Sequence, residues 1–518
     1  MADGLLGTGA TSVESVLASR ADPAQYSDAG RAGKMPLLAR LAYGSGAIST
    51  AVKNAAFGYL LLYYNQVVGI PVHIVSSAIA ATLIIDALVD PIIGRWSDRT
   101  NSRLGRRHPF ILGAAIPTAI FFILLWFPPS GLTDVQTGVW IFAIASLTRV
   151  AVSAYDIPST AMVPELTRDY AERTRLFSLR FWFGYVGTFA FMALSLSFFF
   201  VKTPEYPVGQ LNPDGYAKFA LAGGFAMLLS ILGCGLGTMK QIKGQTLVSD
   251  DKPMKLIDHF REVGSAFTHR SFMAIFAFGV LKFTAIGMAT AMAIYFNTYV
   301  FGLSAKQVAV LALEAVAAAT LAAPLAPYFS RVLGKKRTAI TMAVLGIVIN
   351  NMALVLVYFG VFWPKGHEMV VPTLLGLGAI GGSFIAISLI NTSSMLADVV
   401  EDFAVKTGRH QAGVFFAASS FMQQCSAALG VMAVGYVLSA AHFPAKISPS
   451  AVTRDMELTL LTHYVPVIFL LWMVGCMFLY FYDIDQGRHR SNVDRLRAVE
   501  AEDRARTNTD TAGAASPF

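Results

Sequence analysis

DALVDPIIGRWSDRTNSRLGRRHP, residues Asp86–Pro109, decides how the chain is read. It opens with two carboxylates, Asp86 and Asp90, inside an apolar run, and it closes on Arg95, Arg99, Arg103, Arg106 and Arg107. On a helix, residues four apart share a face, so Asp86 and Asp90 can aim their oxygens at one cation. Two carboxylates that close in a low-dielectric site cannot both stay ionised without a cation or a proton between them. The arginine cluster reads as a cytoplasmic loop at the end of a membrane span.

Composition agrees with a membrane setting. The 518 residues are 55% hydrophobic and 14% charged, with a mean hydropathy of +0.56, too apolar for an ordinary soluble protein and long enough for many spans. The net charge of +8 gathers in certain loops, which points to membrane orientation and surface lipid rather than to nucleic acid. Cys234, Cys425 and Cys476 lie in apolar runs without metal-ligand spacing, so no disulfide framework is expected.

Twelve apolar segments of roughly 20 residues or more follow one another: 38–66, 74–97, 109–128, 136–163, 176–201, 217–239, 273–301, 306–330, 337–361, 371–397, 413–440 and 461–483. Connections rich in Arg and Lys, such as Arg95–Arg107 and Arg331–Arg337, alternate with connections poor in them, which places the basic loops and both termini in the cytoplasm. The longest connection divides the spans six and six, the layout of two halves related by a pseudo-twofold. The expected organisation is a disordered cytoplasmic tail (1–35), a six-helix bundle (36–239), a cytoplasmic linker (240–270), a second six-helix bundle (271–484) and a cytoplasmic tail (485–518).

Charges inside the spans carry the functional signal, because each costs several kcal/mol facing lipid. They are Lys53, Asp86, Asp90, Asp156, Arg180 and Lys282. Ser153 precedes Asp156 by three residues and can offer a hydroxyl to a hard cation. Pro158 and Pro164 are expected to interrupt that helix beside a cavity. The plain alternative is that these charges pair with one another to fix helix packing, and that Arg180 snorkels to the surface beside Arg175. There is no HExxH, GxSxG or P-loop motif, and His108, His269 and His410 fall in loops, so no enzymatic chemistry and no resident cofactor is expected.

RLAYGSGAI (40–48), YYNQVVGI (63–70), the stretch at 85–112, YDIPSTAMVPELTRDYAERTRLFSLRFW (155–182), YFNTYVFGLS (295–304) and SSMLADVVEDFAVKTGRHQAGVFFAASSFMQQ (393–424) occur in a telling order and spacing. Together they resemble the glycoside-pentoside-hexuronide:cation symporters, the melibiose-permease branch of the major facilitator superfamily. The resemblance implies an all-α membrane protein of twelve helices that takes up a sugar, glycoside or uronate with Na⁺ or H⁺ by alternating access. It implies a cation site at Asp86 and Asp90, the ligands if the ion is Na⁺, with help from Ser153 and Asp156. Asp156 and Arg180 match sugar-binding residues, and Asp98, Arg99, Asp398 and Arg409 match inner-gate sequences.

The departures are informative. Thr50 stands near the place of a first-helix aspartate, with Lys53 and Asn54 one turn on; Thr160 replaces a stacking tryptophan and Gln423 a helix-eleven lysine. With Lys282, these positions are the expected substrate-binding set, and Lys53 suits an anionic solute. Some relatives of the family carry lysophospholipids, so an amphipathic solute is the alternative, as is uncoupled uniport. The expected partners are a small solute, a coupling cation and the bilayer of a bacterial inner membrane, with the chain acting as a monomer.

Overall fold

The computed structural model describes residues 35–100, 102–167, 170–242, 269–407 and 412–484, with isolated positions at 267, 487, 488, 491 and 495. Most of the expected linker, nearly all of both expected tails, and Arg409 and His410 lie outside the described residues. The described chain is helical throughout, as its apolar runs dictate, since a helix satisfies every backbone group internally.

Twelve helical segments follow in order. The first, α1, is Leu37–Ser45 and Ala47–Leu62 with a π-helical last stretch, Tyr63–Val68. Then come α2 (Val72–Arg99), α3 (His108–Leu125), α4 (Asp134–Ala161), α5 (Tyr170–Leu194, extended by Ser195–Phe199) and α6 (Pro213–Ile242). The remainder are α7 (Arg270–Tyr295, extended by Phe296–Val300), α8 (Ala305–Leu311 and Leu313–Leu333), α9 (Lys335–Asn350 and Met352–Tyr358), α10 (Val370–Thr407), α11 (Ala412–Ala440) and α12 (Arg454–Leu479).

Among the described residues, ten helices are individually long and apolar enough to cross a bilayer, or eleven counting the two pieces of α9, bent by 42°, as one span. The missing twelfth span is α1, whose break at Gly46 leaves pieces of 9 and 16 residues. Gly46 keeps helical dihedrals, and its lack of a side chain has a local reason. A Cβ on Gly46 would lie 1.9 Å from the Tyr155 hydroxyl, so glycine is what lets α1 lie against α4. The expected interruption at Pro158 is not seen: α4 runs through it to Ala161 and stops at Met162, ahead of Pro164, which sits in the first turn of the short helix Val163–Leu166. Proline tolerates the first turn of a helix, where its missing N–H is not needed. His108 is not a loop residue either; it is buried at the start of α3 and hydrogen-bonded to Thr238 of α6 at 3.1 Å.

Helices α1–α6 pack chiefly on one another, as do α7–α12, and the main contact between the two sets joins α2 to α11. A Cβ on Gly435 of α11 would meet Ser76 Oγ of α2 at 2.0 Å, so the approach is closer than any larger residue permits. One apolar core runs through both halves. Two smaller cores are each confined to one half, one about Tyr43, Ile111 and Leu166, the other about Ala326, Met342 and Ile387.

The halves are pinned together at the end opposite the basic loops. Tyr295 donates to Asn65 Oδ1 at 2.9 Å and Tyr299 to Gln66 Oε1 at 3.0 Å, and both acceptors belong to the π-helical end of α1. Gln210, between α5 and α6, donates to Thr298 at 3.1 Å. At the basic-loop end the pattern inverts, because every ion pair between described residues there stays within one half. Arg106 and Arg107 hold Glu165, Arg107 also holds Asp98, Lys335 holds Asp398, and Arg488 holds Asp402.

Candidate ion and solute site

The site is built from α1, α2, α4 and α5, with one residue from α11. Helix α4 carries Arg149, Ser153 and Asp156 at intervals of four and three, so all three project from one face. Asp86 of α2 is buried against that face. Its Oδ2 accepts from Arg149 Nη1 at 3.0 Å and its Oδ1 from Ser153 Oγ at 3.2 Å.

Arg149 is fixed on its other edges. Its Nε donates to Thr82 Oγ1 at 3.1 Å, and its guanidinium carbon sits 4.2 Å from the centre of the Phe57 ring. A planar, weakly hydrated cation suits such a buried, stacked position. Asp90, one turn along from Asp86, accepts from Gln424 Nε2 of α11 at 3.3 Å through Oδ2, while its buried Oδ1 has no partner. Lys53 of α1 is buried and near enough for its charge to act on both carboxylates.

A second cluster lies one turn along α4. Asp156 Oδ1 accepts from Arg180 Nη2 at 2.5 Å and from Thr50 Oγ1 at 2.9 Å. Arg180 does not snorkel to the surface. It is buried, with its guanidinium carbon 5.6 Å from the Tyr43 ring centre and 5.8 Å from that of Tyr155. Its Nη1 is buried without a hydrogen-bond partner, as are the hydroxyls of Tyr43 and Tyr155. Orphaned donors in one buried patch cost free energy unless something polar meets them, so this patch is suited to a ligand with acceptor oxygens.

The structure therefore brings Asp86, Asp90, Ser153 and Lys53 into one cluster, and Asp156, Arg180 and Thr50 into an adjoining one. Other expected residues stand apart. Thr160 turns its hydroxyl back to the Asp156 carbonyl at 2.9 Å. Gln423 reaches only Ser419 of its own helix, at 3.5 Å. Lys282 is held 4.5 Å from the Phe283 ring centre and 5.0 Å from that of Phe278, on the side of α7 near Cys476 of α12. Asn54 is half-buried on α1. Asp98 and Asp398 are paired as described, and Arg99 is exposed in the last turn of α2.

Three residues escaped the reading of the sequence. Arg149 sits in the apolar run SLTRVAV exactly one turn before Ser153, a spacing that would have placed it on the same face. Gln424 rather than its neighbour Gln423 spans the two halves, which no one-dimensional signal distinguishes. Glu314 of α8 is a further carboxylate within a span; it lies against α10, where a Cβ on Gly378 would fall 2.0 Å from its Cδ.

A bundle of apolar helices in two packed halves, with buried charges clustered on inward faces, defines a secondary transporter of the major facilitator superfamily. The family described as MFS/sugar transport protein matches residues 42–486, and the chain belongs to it. Among its relatives, a Synechocystis sp. protein named as the uncharacterized symporter sll1374 is 27% identical across 90% of this chain and 98% of its own. The isoprimeverose transporter of Lactiplantibacillus pentosus is 25% identical over 83% of this chain and 84% of its own. The sodium-dependent lysophosphatidylcholine symporter 1 of Gallus gallus is 22% identical over 92% of each. In fold, the crystal structure of the nucleoside transporter NupG superposes with a TM-score of 0.58 at 11% identity, covering 87% of this chain and all of the other.

Proposed function

We propose that the chain is a cation-coupled symporter that moves a sugar, glycoside or uronate across the cell membrane, with its basic loops and termini in the cytoplasm. The observation that carries this reading is the adjacency of two charged clusters on one face of α4. Ser153 belongs to the carboxylate pair and Asp156, one turn on, belongs to the Arg180 cluster. An ion at the first cluster changes the charge and position of α4, and so the readiness of the second to take a solute. Such coupling is reciprocal, since solute must then favour the ion by the same factor.

The described residues fit a conformer closed at the end opposite the basic loops. There the halves are joined across α1 and α7, while the pairs Asp98–Arg107 and Asp398–Lys335 at the other end each join residues of one half. Rocking the halves about the α2–α11 contact would exchange which end is joined. A monomer acting alone in a bacterial inner membrane is part of this reading. Arg180 can bind the hydroxyls or carboxylate of a sugar derivative through its planar fork.

A second reading, transport of a lysophospholipid-like amphiphile, has its own support. Of the long spans, α5 and α8 are the least covered by the rest of the chain. They carry exposed Phe181, Trp182, Val316 and Leu321. An acyl chain can lie along such apolar faces.

The test is uptake into vesicles holding the purified protein, screening neutral sugars, uronates and lysophospholipids with and without Na⁺ and pH gradients, beside Asp90→Asn. Gradient-driven uptake that the variant loses is the expected result. Uptake indifferent to every gradient, or intact in the variant, would make the carboxylate pair structural and the protein a uniporter.

A further inference from the structure

The carboxylate pair does not offer Na⁺ what its residue types promise. A hard cation of this kind is held by several oxygens at once. Both oxygens of Asp86 already have donors, Arg149 Nη1 on one and Ser153 Oγ on the other. One oxygen of Asp90 accepts from Gln424, leaving Asp90 Oδ1 as the one oxygen of the pair that meets no donor.

Charge argues the same way. Around the site stand Asp86 and Asp90 from α2, Lys53 from α1 and Arg149 from α4, so two negative charges face two positive ones. The adjoining Asp156 and Arg180 cancel each other at 2.5 Å. A Na⁺ ion entering this balanced, buried group would add an uncompensated charge where the dielectric is low and such charges are most costly. Arg149 is not free to swing away, since Thr82 and the Phe57 ring hold it and its side chain is only 7% exposed. Thr82 is itself tied by its hydroxyl to the Ile79 carbonyl at 2.7 Å.

We propose that Arg149 is a built-in cation occupying the place beside Asp86 that a coupling Na⁺ would take, so that this transporter excludes Na⁺ from its carboxylate pair. The inference deepens the symport reading by naming the ion that the site rejects and the residue that rejects it.

The experiment is isothermal titration of the full chain in detergent with NaCl, at constant ionic strength against choline chloride and with no solute present. The wild type is expected to show no saturable Na⁺-dependent heat. Arg149→Ala is expected to gain it, with Na⁺ affinity raised on the order of a thousandfold, the effect of removing one charge about 4 Å away in a partly polar interior. Arg149→Lys should behave as the wild type. Arg149→Gln keeps a donor against Asp86 while deleting the charge, and serves if the alanine variant does not fold. Saturable Na⁺ binding by the wild type that Asp86→Asn abolishes would overturn the proposal. So would a folded, charge-deleted variant that still binds no Na⁺. Because no solute is present, failure to find a transported solute leaves this result untouched, and Na⁺ binding by the wild type that Asp86→Asn abolishes would sink the inference while leaving symport intact.

Discussion

Gln424 Nε2 on α11 donates to Asp90 Oδ2 on α2 at 3.3 Å, the one side-chain hydrogen bond between described residues that crosses the two halves away from their pinned end. Its neighbour Gln423 stays within α11. Gln424→Ala should therefore lower gradient-driven uptake about tenfold or more, since a hydrogen bond to a charged group is worth about 1.5–3 kcal/mol. Gln423→Ala should stay close to wild type. Equal losses in the two variants, measured in the same vesicles, would contradict the geometry.

Arg180 and Asp156 form a buried pair, and deleting one partner strands the other. Arg180→Ala should abolish uptake and destabilise the protein by about 3–5 kcal/mol, read as a lower midpoint of thermal unfolding in detergent. Asp156→Asn combined with Arg180→Gln should recover much of the stability and none of the transport, because the charges are gone together. Arg180→Lys should not restore uptake, since a point charge cannot reproduce a planar fork lying between Tyr43 and Tyr155.

The break in α1 predicts a steric defect. Gly46→Ala sets a methyl group 1.9 Å from the Tyr155 hydroxyl, and should cost about 1–3 kcal/mol as α1 is pushed off α4. Tyr155→Phe in the same chain removes the clashing oxygen and should return part of that loss. Thermal unfolding of the single and double variants checks both statements.

At the pinned end, Tyr295→Phe removes the hydrogen bond to Asn65 at 2.9 Å. A loss of about 0.5–1.5 kcal/mol should shift the balance between the two conformations a few-fold to about tenfold toward the state open at that end. Labelling of a single cysteine placed near Thr298 should rise accordingly, and unchanged labelling would contradict the reading of this contact as a latch.

His269 caps the start of α7, and its pH behaviour has a definite sign. Its Nδ1 accepts from the Phe272 N–H at 3.4 Å and its Nε2 lies 2.8 Å from Asp402 Oδ2, an arrangement that needs the neutral ring with its proton on Nε2. Burial lowers its pKa below the ordinary histidine value, and the nearby Lys406 adds to this, while Asp402 and Asp483 only partly oppose it. A lowered folded-state pKa means that the unfolded chain binds the proton more readily, so this contribution is present above the ordinary value and is lost as pH falls through the folded one. Thermal stability should fall as pH drops below the ordinary histidine value of about 6.5, and His269→Asn, which can still cap, should flatten that dependence.

Most of the architecture is legible in one dimension. The depth of a charge within an apolar run follows from counting residues, which is why Asp86, Asp90, Asp156 and Arg180 could be singled out before any helix was packed. Helix ends were also within reach: Thr133 with Gln136 and Ser304 with Gln307 form capping boxes at the starts of α4 and α8. Breaks inside spans were not legible. Pro158 is absorbed into α4, whereas the place of Gly46 in α1 is set by the Tyr155 hydroxyl across the interface, which leaves no room for a side chain.

The amino-acid order by itself determined that the chain is a membrane bundle with ionisable groups at mid-depth, since hydrophobicity and its period are local properties. Only the tertiary structure decided which charges meet. It set Arg149 rather than a free site against Asp86, turned Gln424 and not Gln423 toward Asp90, and held Lys282 between two phenylalanines away from the carboxylates. The physical reason is that a buried charge is tolerated only beside its complement, and that complement stands on another helix, where distance along the chain carries no information about distance in space.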